Sequence, residues 1–196
     1  GPIGQSKAER TWLSAPRSLR WVLLAFVGLA LINIFQHEMW RDEIYDWAVA
    51  VNSSSLPELF DNLRYGGHAS LWPLLLYAAS RATTEPIAMQ ILHVSIASAT
   101  AYLILFYLPL PPVYRVILVF GYFPFFEYST ISRDYALGFL LAMAFCHVVT
   151  ARPRAVFPQA TLLFLLAQTT AYGGLLAISL ALYPIADHLR RFRSGE

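Results

Sequence analysis

No charged residue interrupts the sequence from Trp21 to Phe35, from Pro86 to Tyr107 or from Tyr135 to Thr150. Apolar runs of about 15 to 22 residues recur along the chain, and that spacing limits what it can fold into. Backbone N–H and C=O groups left unpaired in hydrocarbon are costly, so a run that enters a bilayer is a helix or part of a closed barrel. These runs have helical length, since roughly 17–25 residues cross a bilayer as a helix. The expected class is an all-α polytopic membrane protein. Charged residues make up only 13% of the chain, against about 25% in a soluble domain. The net charge of +2 carries no sign of nucleic-acid binding, because the basic residues are dispersed at segment ends. Cys146 is the single cysteine, so no disulfide forms within the chain.

Residues 1–20 carry Lys7, Arg10, Arg17 and Arg20 against one acid, Glu9. Basic residues flanking a first apolar helix face the cytoplasm, so this tail is expected inside and the loop after Phe35 outside. Between His37 and Glu85 stand seven acids and three arginines, a balance suited to an exported loop. Helices are expected within it. Ile44, Trp47, Ala48 and Val51 form an i, i+3, i+4, i+7 stripe lying along the membrane. Ser55 and Glu58 have capping-box spacing ahead of a stripe of Leu56, Leu59, Phe60 and Leu63, and Gly66-Gly67 ends that helix. The segment His68 to Arg81 is too short to cross, is interrupted by Pro73, and reads as a re-entrant or juxtamembrane helix.

Crossings are then expected at Trp21–Phe35, Pro86–Tyr107, Val113–Tyr128, Tyr135–Thr150, Phe157–Tyr172 and Gly174–Ala186. That makes about six transmembrane helices, with juxtamembrane helices in the outer loop at about 37–85 and both termini inside. Ten of the fourteen Lys and Arg residues then face the cytoplasm. A crossing by His68–Arg81 would put every later basic cluster on the wrong side. The module spans residues 21–190, followed by a cytoplasmic end at 191–196. An opening Gly1-Pro2 in place of Met, and a stop just past a basic cluster, are expected of a truncated chain carrying leftover cloning residues.

This parity places Asp42-Glu43 and Arg133-Asp134 on the same outer side. Charges beside lipid cost roughly 2.5 to 3.5 kcal/mol each, so they face a cavity or each other. Two carboxylates beside an arginine offer a general base, a metal ligand and a phosphate anchor, and the planar guanidinium suits phosphate. Each feature also has a plainer reading. Asp42 and Glu43 suit the N-terminal dipole end of a helix, Arg133-Asp134 an interfacial ion pair, and His68 a structural role after Gly66-Gly67. His93 and His147 read as packed residues. Trp and Tyr at helix ends, Tyr135 among them, read as interface anchors, and Gln168, Thr169 and Thr170 as interhelical hydrogen-bonding groups.

The stretches WRDEIYDWA, GGHASLWPLLLY and EYSTISRDYALGFLL, in that order, resemble the N-terminal half of the GT-C glycosyltransferases. The nearest groups are the bacterial protein mannosyltransferases, the aminoarabinose transferases and their Rgt-like relatives. Asp42-Glu43 matches the family's Asp-Glu pair in the first outer loop. His68, Leu71 and Trp72 match in part a His-x-x-Leu-Tyr helix start, and Ser132 to Leu137 match a Ser-Arg-x-Tyr/Asp-Ala-Leu stretch. Ala69-Ser70 departs from the family's Pro-Pro, and the half that completes the substrate site in the family has no counterpart in these residues.

The resemblance implies inverting transfer of a sugar from a polyprenyl-phosphate donor to a glycan, lipid or protein acceptor. The place would be the outer face of a bacterial inner membrane. Asp42 would be the general base, Glu43 would hold the acceptor or a metal, and Arg133 would anchor the lipid phosphate. Asp134 would orient Arg133 or share a divalent ion (Mg, Mn or Zn) with Asp42. His68 would contact substrate, and Tyr172, beside Gly173-Gly174 in an outer turn, would line the cavity. The alternative is a non-catalytic membrane subunit or transporter-like protein that binds a lipid-linked or anionic ligand.

Overall fold

The structure, a computed structural model, describes residues 17–64 and 69–194. His68 and Gly66-Gly67 lie outside the described residues. Among those described there is no strand. The helices are α1 (Ser18–Gln36), α2 (Arg41–Asn52), α3 (Leu56–Leu63), α4 (Leu71–Ser80), α5 (Ile87–Tyr107), α6 (Pro112–Val119), α7 (Asp134–Ala151), α8 (Val156–Ala167) and α9 (Ala171–Ser194). A π-helical segment, Tyr122–Glu127, runs into a single turn at Tyr128–Thr130 between α6 and α7. The described residues thus form an all-helical structure, and among them α1, α5 and α7 are long and apolar enough to cross a membrane.

The centre of the fold is α5. One face of it (Val94, Ala97, Ala101, Ile104, Leu105) is buried with Phe26, Ala30 and Ile34 of α1 and Val119 of α6. Its Met89 and Ile96 join a second core with Trp47, Trp72, Leu76, Leu137 and Leu166, which ties the loop helices α2 and α4 to α7 and α8. Small residues (Ala97, Ala101, Ala136, Ala142) sit at these contacts, letting helices approach closely, as membrane packing requires. Gln90 donates from Nε2 to the carbonyl of Ile34 at 3.1 Å, satisfying the last turn of α1 inside the bundle.

The expected helix over Val113–Tyr128 is broken. α6 stops at Val119, Gly121 is extended (φ −66°, ψ 161°), and the chain resumes as a π-helix. Pro124 lies within that segment; a proline ring clashes with the carbonyl four residues back, here Phe120, and offers no N–H. Arg115, expected in an inner turn, is buried. Its Nε donates to the Leu110 carbonyl at 2.7 Å and its Nη1 to the Leu105 carbonyl at 2.9 Å, capping the end of α5.

Two other expectations shift. The buried face of α2 is Glu43, Asp46, Trp47 and Ala50, whereas Ile44, assigned to the stripe, is half exposed. The turn expected at Tyr172-Gly173-Gly174 lies earlier, at 168–170, because Thr170 caps α9 by accepting the Gly173 N–H at 2.7 Å. Such a cap satisfies a free first-turn donor. The Ser55 cap behaves as read: its hydroxyl accepts the Glu58 N–H at 3.3 Å. Glu58 reaches back to the Ser54 N–H at 2.8 Å, one residue earlier than in a true box.

Candidate functional site

Adjacent acids at the start of α2 have opposite environments. Helix geometry turns neighbours about 100° apart, so one points in when the other points out. Glu43 is fully buried. Its Oε2 accepts the Trp40 N–H at 2.8 Å and lies 2.9 Å from His37 Nε2, which donates in the tautomer a carboxylate demands. Its Oε1 accepts the Ser132 N–H at 2.6 Å, across 89 residues of sequence. Glu43 is therefore the N3 cap of α2 and also a strut to the loop before α7. Both of its oxygens are engaged in these hydrogen bonds.

Asp42 points outward, its side chain 61% exposed, and its Oδ2 accepts Arg133 Nη1 at 3.0 Å. The Glu43–Ser132 bond fixes the loop, and Arg133 at its end then meets Asp42. The Arg133 guanidinium also sits 5.5 Å above the Tyr135 ring, a cation–π distance. Tyr135 stacks on Tyr128 at 6.4 Å, and Tyr128 meets Phe123 of the π-helix at 5.8 Å. An aromatic path thus leads from the guanidinium to the exposed rings of Tyr122 and Phe123.

Around this pair several buried polar atoms have no hydrogen-bond partner among the described residues: Arg133 Nε, Ser132 Oγ and Thr130 Oγ1. Buried polar groups are nearly always paired, by protein or by ordered water. Three such atoms lie within four residues, on the loop that carries the guanidinium.

The other sequence candidates fall differently. Asp134 opens α7 as its first residue, where its charge suits the helix dipole. Tyr172 is 73% exposed at the start of α9, a helix that packs chiefly against α8. The α8–α9 turn comes to the same end of the bundle through α4: the Leu71 N–H donates to the Gln168 carbonyl at 3.0 Å, and Ser70 Oγ to Gln168 Oε1 at 3.3 Å. Two participants escaped the sequence reading. His37 was only the edge of the acidic stretch, and Tyr135 was read as an interface anchor.

No group of three or more His, Cys, Asp or Glu residues able to hold a metal occurs among the described residues. A metal on Asp42 and Asp134 would have two carboxylates at most, and Asp42 already carries a guanidinium. Mg²⁺ is commonly held by one or two carboxylates with waters and substrate phosphates, so an ion here would need a donor phosphate to complete its shell. No protein-family model, curated protein or solved structure matches this chain.

Proposed function

We propose that this chain is a membrane glycosyltransferase module of GT-C type, working at the extracytoplasmic face on a polyprenyl-phosphate sugar. The observation that carries the reading is the 3.0 Å pairing of Asp42 with Arg133 across 91 residues of sequence. It joins the two stretches on which the resemblance rests, WRDE and SRDYA.

Topology supports the pairing. Two residues in contact lie on one side of a membrane only if an even number of crossings separates them. Between Asp42 and Arg133 stand α3, too short to cross at 8 residues, α4, α5 and the α6–π segment. At 21 residues, α5 is about 32 Å long, enough for a ~30 Å hydrocarbon core. α4, at ten residues, is about 15 Å long, so the second crossing falls to α6 with its π-helical continuation. That keeps α4 as a juxtamembrane helix; the six-crossing reading also counts α9 and α8, the latter about 18 Å long at 12 residues and crossing only together with its flanking residues.

In the reaction, the Arg133 guanidinium holds the donor phosphate and balances the negative charge the lipid phosphate keeps as it leaves. Asp42, released from Arg133 by that phosphate, takes the proton of the acceptor hydroxyl. The acceptor oxygen bonds to the anomeric carbon as the carbon–phosphate oxygen bond breaks, inverting the centre through an oxocarbenium-like state. Glu43 and His37 act as positioning residues that hold the loop at Ser132. No step requires a metal. In the complete protein Asp42→Asn keeps an oxygen for Arg133 but removes the base. Sugar transfer should fall by roughly 10² to 10⁴ with folding intact; full activity refutes the assignment.

One observation favours the rival reading of a non-catalytic binding subunit: Asp42 is already neutralised by Arg133, as in an ordinary ion pair. Under that reading Arg133→Ala weakens lipid-phosphate binding, and no variant of Asp42 alters turnover because none exists.

A further inference from the structure

At the opposite end of the bundle, α8 and α9 splay apart. They share the turn at 168–170 and diverge from it, leaving an open groove of about 880 Å³. Its walls are Val156, Ala160 and Leu163 of α8 against Pro184, Ile185 and Leu189 of α9, with Arg154, Asp187 and His188 at the rim. Because α7 is 18 residues long, this end lies about 27 Å from Arg133. The groove is separate from the candidate active site.

We propose that this groove binds an anionic phospholipid of the membrane leaflet at that end, with the acyl chains between α8 and α9 and the headgroup phosphate at the Arg154 rim. Three features carry the inference. The walls are apolar and wide enough for hydrocarbon chains. The rim carries the exposed side chain of Arg154, with exposed Arg152 two residues before it, against the one acid Asp187. Basic pockets between membrane helices recognise anionic headgroups in this way. The rim is also pre-formed. Gln159, itself buried, donates from Nε2 to the Arg152 and Pro153 carbonyls at 3.1 Å each. The Ala155 and Val156 N–H groups bond the Arg152 and Arg154 carbonyls at 3.0 Å. This fixes the loop that leads into α8 and leaves the Arg152 and Arg154 side chains exposed.

The inference depends on membrane insertion and not on the chemistry at Asp42. The test is native mass spectrometry of the purified chain, released from nanodiscs containing equal phosphatidylglycerol and phosphatidylcholine. The chain should retain phosphatidylglycerol selectively. Arg154→Ala should cut the preference about fivefold, the equivalent of one interfacial basic residue. Ala160→Phe, at an exposed position of the wall, should lower bound lipid of both kinds while helix content by circular dichroism is unchanged. Equal retention of the two lipids by the wild type overturns the proposal, as does an Arg154→Ala variant with full preference. A lipid-free dimer whose formation Ala160→Phe blocks would assign the groove to a second copy instead, and would also overturn it.

Discussion

Glu43 and Asp42 are neighbours of the same charge, and the structure gives them opposite energetic weights. Truncating Glu43 to alanine removes the acceptor for two backbone N–H groups, of Trp40 and Ser132, and for the His37 ring. A buried donor left unsatisfied costs about 1–3 kcal/mol, and here three donors lose their acceptor at once. These losses overlap and are not additive, so Glu43→Ala should destabilise by about 3–5 kcal/mol. For a chain of this length that is a fall in Tm of roughly 6–20 °C. Glu43→Gln keeps one carbonyl acceptor but turns an amide NH2 toward a donor, so about 1–3 kcal/mol is expected. Asp42→Ala removes a surface pair with one partner 61% exposed; after screening this is worth about 0–1 kcal/mol, and Tm should barely move. The assay is thermal unfolding of the three purified variants in one detergent, followed by circular dichroism. Equal shifts for Asp42→Ala and Glu43→Ala would refute the assignment of one acid to architecture and the other to the site. So would a Glu43→Ala shift below about 2 °C.

The glycines of α9 give a second contrast. A Cβ on Gly173 would lie 2.3 Å from Thr169 Oγ1 and 2.6 Å from the Leu166 carbonyl, while one on Gly174 meets nothing within 4 Å; Gly173→Ala should therefore cost about 1–3 kcal/mol and Gly174→Ala should be neutral or slightly stabilising in thermal unfolding. Glu58 is held below its ordinary 4.5, first by the Ser54 hydroxyl and then by the Ser54 N–H. Its folded pKa is depressed, so its contribution is complete above about pH 4.5 and is lost as pH falls through the folded value; the Tm difference between wild type and Glu58→Gln should shrink from pH 6 toward pH 3. For topology, Glu38→Cys and Arg154→Cys in a Cys146→Ala background should label from opposite sides of intact cells with an impermeant thiol reagent, three crossings separating them; labelling of both from one side would remove the six-crossing arrangement.

The helices were legible because apolar length is a property of the sequence alone. The Trp21–Phe35, Pro86–Tyr107 and Tyr135–Thr150 runs return as α1, α5 and α7 with no end moved by more than three residues. The break at Phe120–Gly121 was harder to foresee, because the intervening residues are as apolar as any helix and only Pro124 marks it. The buried face of α2 was misread for a related reason. Hydrophobic periodicity favours Ile44 for burial, yet Glu43 and Asp46 are the residues turned inward, since three donors on Glu43 outweigh the burial of one isoleucine. Those donors come in part from Ser132, 89 residues away, and no local pattern can supply them. The candidate site shows both limits together. That Asp42 and Arg133 share a side follows from charge distribution and crossing parity, which sum over the whole chain. Which of two adjacent acids meets the arginine depends in part on the backbone N–H of Ser132, which reaches Glu43 only once α2 and the start of α7 are packed. The same bond makes the reading testable: if Glu43 holds the loop, weakening it displaces Arg133, and the proposed sugar transfer should suffer from Glu43→Gln although Glu43 itself is buried.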